Sequence, residues 1–146
     1  MTSLTDALLT DDGIDRIAHG VINRTLPKPE WTHKAHFAAA LWMITHHGRD
    51  AERLMPGLIR AYNEATNTPN TDTGGYHETI TLASLRAARF VLAAHPDTAL
   101  SGVLAALMAR EFGKSGWLLV YWSKERLFSI EARQVWVEPD VQALPF

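Results

Sequence analysis

The sequence predicts an all-α fold, a single-domain helical bundle of five or six helices over residues 1–146 with an extended C-terminal tail packed on it. Three observations carry that expectation. Apolar residues recur at helical spacing through most of the chain, and capping and stop signals bracket several of those stretches. No internal repeat, low-complexity tract or linker divides the 146 residues, of which 47% are hydrophobic and 21% charged. Such a chain is long enough to bury a core without disulfides or metal staples.

The elements follow in order. A first helix is expected over residues 5–19, weakened by roughly 1 kcal/mol where Gly13 replaces a better helix former. The second has sharp ends: Thr32 is a good N-cap, and Gly48 stands where a left-handed residue closes a helix. Between them Ala35, Ala38, Ala39 and Ala40 give high propensity and a slim surface. A third helix is expected over residues 50–66, with Pro56 about two turns in as a kink or a late start. "NTPNTDTGG" reads as a polar loop. A fourth helix over residues 75–94 stops before Pro96, and a fifth over residues 97–112 opens on an acidic first turn. "WLLVYWSKERLF" reads as a helix capped by Ser115, with an extended alternative from its aromatic and β-branched residues. Ser129 then caps one short turn. The tail over residues 134–146, with Trp136, Val137, Val141, Leu144 and Phe146, is too apolar to stand in water and is expected to wrap the bundle.

Composition narrows function by exclusion. The net charge of -2 and the absence of a basic stripe argue against nucleic-acid binding. With no cysteine, disulfides, thiolate metal sites and cysteine nucleophiles are ruled out. The N-terminus lacks the pattern of a secretory signal and no apolar run reaches bilayer length, so a cytoplasmic protein without membrane partners is expected. The familiar nucleophile-elbow, phosphate-loop, dinucleotide and HExxH motifs are missing.

The histidines carry the remaining signal. In "EWTHKAHFAAALW", His33 and His36 are three apart, on one face of the second helix near its start, so two imidazoles open the stripe that faces the core. In "GGYHETITLASL", His77 falls in the first turn of the fourth helix above Thr81, Ser84 and Ala88, a small and partly polar stripe that leaves room for a ligand. If the two helices run parallel, His33, His36 and His77 surround one cavity mouth. A three-histidine set suits zinc, iron, manganese or nickel with open positions for water or substrate. Glu78 is then a fourth ligand or a general base, Tyr76 a hydrogen-bond donor or stacking surface, and Arg133 a group that reaches the pocket if the tail folds over it. Arg86, Arg89 and the other histidines read as surface ion pairs and caps.

Through "WTHKAHF", "GYHETIT" and "ERLFSIEARQVWVEPDVQALP" the chain resembles an uncharacterised family of small bacterial helical proteins. These share His-x-x-His before an alanine-rich helix, Tyr-His-Glu-Thr, and a closing Leu-Phe-Ser, Ala-Arg, Glu-Pro-Asp tail. The match covers most of the length in that order. The resemblance implies that His33, His36, Tyr76, His77, Glu78, Thr79, Ser129 and Arg133 form the functional surface; it names no activity.

Three functional readings stay open at this level. The first is a small-molecule enzyme with one divalent metal on His33, His36 and His77, performing hydrolysis, elimination or oxygen chemistry. The second is a metal-free module that binds a small molecule in the same histidine-lined pocket. The third is an interaction protein whose tail tryptophans dock a partner or a second subunit as a homodimer.

Overall fold

The centre of the fold is a helix buried on every side. In the computed structural model, which describes residues 10–146, nine of the residues from Ala35 to Ile44 are buried. A helix apolar all round belongs inside a bundle rather than on its surface. This helix, α2 (His33–His47), packs against α1 (Asp11–Ile22), α3 (Ala51–Ala65), α4 (Glu78–Ala94) and α5 (Leu100–Ala109). Two short helices, α6 (Lys124–Leu127) and α7 (Ile130–Gln134), precede the tail, and α7 lies on α4. One buried apolar cluster joins all of these elements, and no strand occurs among the described residues. Among those residues, no helix is long and apolar enough to cross a membrane.

Local chemistry sets the boundaries. The Thr10 hydroxyl accepts from the Gly13 amide at 2.9 Å and opens α1, which runs to Ile22 rather than ending at residue 19. Gly13 therefore sits in the first turn, and the expected helical residues before Thr10 lie outside the described residues. Thr32 caps α2 by accepting from Ala35 N–H at 3.2 Å, and Gly48 closes it with a φ of 54°, both as the sequence suggests. Pro56 lies within α3 without ending it. Arg89 of α4 reaches Glu52 through two contacts of 2.7 Å and the Gly48 carbonyl at 2.6 Å, fastening α4 to the turn between α2 and α3.

Three expectations are corrected. His77 is the N-cap of α4 and not a residue of its first turn: its Nδ1 accepts from Ile80 N–H at 3.2 Å, so the helix begins at Glu78. The fifth helix starts at Leu100, because Asp97 adopts a left-handed φ of 59°, which α-helix cannot use. The acidic group at its N-terminus comes from another helix, with Asp11 accepting from Ser101 N–H at 2.8 Å. Finally, residues 117–128 do not form one helix capped by Ser115. Trp117–Val120 is a 3₁₀ turn, and Ser123 caps α6 while its amide and hydroxyl bind the Asp140 carboxylate at 2.8 and 2.6 Å. Contact with the tail wins over helix continuation.

The tail does wrap the bundle. Trp122 Nε1–H donates to the Val137 carbonyl at 3.0 Å, Val141 N–H to Tyr121 at 2.9 Å, and Arg86 to the Phe146 carbonyl at 2.9 Å. Val137 is buried, whereas Val141, expected to pack, is 60% exposed.

Candidate functional site

The N-terminal turns of α2 and α4 border one cavity of about 370 Å³. Trp31 and His36 come from the start of α2, Tyr76 and His77 from the entry to α4, and Met55, Ile59 and Asn63 from α3. Thr81 and Ser84, the small polar stripe of α4, also line it; Ala88 is fully buried beyond it. The volume is that of a small organic ligand.

The three histidines have separate roles. His33 turns away: its Nε2 lies 2.7 Å from the Phe112 carbonyl, and its ring meets Phe37 edge-on at 5.3 Å. His77 uses both nitrogens. Because Nδ1 accepts from Ile80, Nε2 carries the hydrogen and donates to the Leu127 carbonyl at 2.7 Å, which fixes a neutral tautomer. Burial, the largest cause, lowers its pKa, as neutrality requires. His36 stacks on Trp31 with ring centroids 3.8 Å apart and lines the cavity. Neither of its ring nitrogens has a hydrogen-bond partner among the described residues. Burial, with electrostatic contributions from the neighbouring His33 and Lys28, pushes its pKa down to about 3, so His36 is a neutral imidazole across the physiological range.

Tyr76 also lines the cavity, and its hydroxyl donates to the Glu78 carboxylate at 2.5 Å. Burial and that hydrogen bond raise the phenol pKa and keep it protonated. The Arg60 guanidinium sits over the Tyr76 ring, 4.4 Å from its centroid. Glu78 lies beside Tyr76 and is not a cavity-lining group. Arg133 does not reach the cavity either: its Nη1 donates to the carbonyls of Gly75 and Tyr76 at 3.1 and 3.2 Å, clamping α7 to the entry of α4. Thr79 and Ser129 hold backbone: Thr79 Oγ1 donates to Val135 O at 2.9 Å and accepts from Val137 N–H at 3.2 Å, and Ser129 caps α7.

The residues named by the sequence thus divide. His36, Tyr76 and His77 meet at the cavity, while His33, Glu78 and Arg133 do not line it. Among the described residues no group of three or more histidines and carboxylates is placed to hold a metal ion. For His77 the donor chemistry agrees, since its Nδ1 lone pair accepts from Ile80 N–H while Nε2–H donates to the Leu127 carbonyl; His33 donates to the Phe112 carbonyl and does not line the cavity.

Sequence reasoning missed Lys28, Trp31, Asn63, Met55 and Ile59. Lys28 is the only charged side chain lining the cavity, and no carboxylate lies at ion-pair distance from it among the described residues. The neighbouring Glu30 is taken by Arg16. A usable signal existed in "LPKPE", where flanking prolines restrict the backbone on either side of the lysine. The loop carried another: Asn70 accepts from Asn63 Nδ2 at 3.1 Å and from Tyr76 N–H at 3.0 Å, and so sets the cavity rim. Comparison of the chain with protein-family models, curated proteins and solved structures returned no match.

Proposed function

We propose that this protein binds a small organic molecule in the cavity between α2, α3 and α4, using His36 as a neutral hydrogen-bonding group and Trp31 as a flat apolar wall. The observation that carries this reading is the unpartnered imidazole of His36, aligned by stacking at 3.8 Å on Trp31 in a cavity of about 370 Å³. A half-buried polar group without a protein partner can bond a ligand in exchange for water, without breaking a hydrogen bond to the protein. Neutral imidazole offers one donor and one acceptor, and Asn63, Thr81 and Ser84 add polar contacts around an apolar floor. The uncommitted imidazole is a weak base, which favours hydrogen-bonded recognition by His36 over general-base catalysis by it.

Two measurements test this. A collection of small organic compounds screened by NMR against tag-free protein should yield ligands that shift the His36 ring and Trp31 indole resonances. Ser84→Trp, which fills the cavity from α4, should abolish those shifts. Ligands that bind the filled variant equally well would refute the site. Metal analysis tests the enzymatic reading. About one equivalent of zinc, iron, manganese or nickel, lost in His36→Ala, would replace binding by metal-dependent chemistry on His33, His36 and His77 with Glu78 as base.

A further inference from the structure

We infer that the ligand of this cavity is a small amphipathic monoanion, a carboxylate with an unbranched apolar tail, whose head lies between Lys28 and His36 and whose tail runs over Ile59 toward Met55. The inference rests on the binding reading above and adds the chemistry of the ligand.

Charge is the first argument. Among the described residues, Lys28 brings the only formal charge to the cavity lining and has no ion-pair partner, with the Tyr62 ring beneath its ammonium at 5.5 Å. Lys28 is largely exposed, with partial burial lowering its pKa, and an anion beside the ammonium favours its charged form. A cationic ligand would meet Lys28 and no carboxylate, an arrangement that rejects it. His36 is close enough to feel the lysine charge, and its N–H can donate to the second oxygen of a carboxylate held there.

The apolar side supplies the tail. Met55 and Ile59 line both this cavity and a second void of about 10 Å³ behind it, whose other walls include Val21, Ala39, Met43 and Leu58. A space of that size and lining does not hold an ordered water. Methionine, unbranched and with three rotatable bonds, can shift to open such a gap to an alkyl chain. Polar head groups therefore belong at the α2 entrance and apolar carbon at the α3 floor.

The test uses hexanoate, hexanamide and hexylammonium as probes, read by the His36 and Trp31 resonances and by calorimetry. Hexanoate should bind at least tenfold tighter than hexylammonium and several-fold tighter than hexanamide. Lys28→Met should erase the difference between acid and amide, and Lys28→Arg should keep it. Lengthening from butanoate to hexanoate should improve affinity by up to about fourfold per methylene, the equivalent of ~0.8 kcal/mol. Lys28 is exposed, so neither variant threatens the fold. Equal binding of amide or amine, or hexanoate affinity unchanged in Lys28→Met, overturns the anion assignment while leaving the cavity a binding site. If none of the three probes moves these resonances and the wider compound collection does, the ligand class is wrong; if neither does, the binding reading falls with it.

Discussion

Replacing His36 by glutamine removes one titrating group from the cavity, and the structure fixes the pH window in which that matters. In the native protein the imidazole is held near pKa 3 by burial, with His33 and Lys28 adding to the effect, against an ordinary value of 6.5. The unfolded chain therefore takes up a proton that the native state refuses between pH 6.5 and pH 3. The depressed pKa means full stability above about 6.5 and progressive loss as the pH falls toward 3. Between pH 6 and pH 4.5 the loss from this one group is about 2 kcal/mol, at 1.36 kcal/mol per pKa unit. Other groups slope the same way, since His77, Glu52 and Asp140 are also lowered. They are common to both proteins, so the wild type minus His36→Gln difference isolates His36. Urea unfolding followed by circular dichroism at pH 7, 6, 5 and 4.5 gives that difference directly, with NMR titration of the His36 ring as the independent reading. A ring that titrates near 6, or a difference that changes by less than about 0.5 kcal/mol over the interval, would refute the account of a desolvated imidazole beside Lys28.

Two further substitutions probe the frame around the cavity. Thr79→Val keeps the shape of a fully buried side chain but strands the Val137 amide, itself in a residue only 4% exposed, and should cost about 1–3 kcal/mol in urea unfolding, with faster hydrogen exchange at Val137. A change below about 0.5 kcal/mol would show that the tail does not depend on this bridge. Gly75→Ala places a Cβ 2.4 Å from the Pro69 carbonyl oxygen at a φ of +78°, and should lower stability by more than about 1 kcal/mol while displacing Tyr76 at the cavity wall. An unchanged melting temperature together with unchanged Tyr76 resonances would contradict the close approach.

Much of the fold was legible because it depends on neighbours in sequence. The ends of α2 follow from Thr32 and Gly48, and the turn at α7 from Ser129, each a side chain or backbone preference acting within a few residues. Errors came where a distant group decided the outcome. Asp11 supplies the acidic N-terminus of α5 from 90 positions away, and Asp140 takes the amide and hydroxyl of Ser123 across the break before α6. The start of α4 was misplaced for a different reason. Imidazole is not among the usual capping side chains, yet His77 accepts the Ile80 amide as an aspartate would. The cavity itself was half legible: helical periodicity put His36, His77, Thr81 and Ser84 near one another, but no local pattern shows which lone pairs remain free.

Spacing and availability diverge most clearly in the His-x-x-His pair. Residues three apart share a helix face, so sequence alone makes His33 and His36 look convergent. A helix end changes that, because its last carbonyls lack an intrahelical donor and need one from elsewhere. The Phe112 carbonyl, in the 3₁₀ turn Glu111–Gly113, finds the His33 ring at 2.7 Å; the Leu127 carbonyl, ending α6, finds the His77 ring at the same distance. A leucine at either position would pack but could not donate, leaving a half-buried or buried carbonyl unpaired at a cost of about 1–3 kcal/mol. Two of the imidazoles are thus explained by the backbone they satisfy. His36 has no such carbonyl, and its stacking on Trp31 orients the ring without using either nitrogen. What a leucine could not supply at this third position is a hydrogen bond offered to the cavity beside an unpaired lysine, and that difference, rather than the histidine count, is the reason to look for a ligand there.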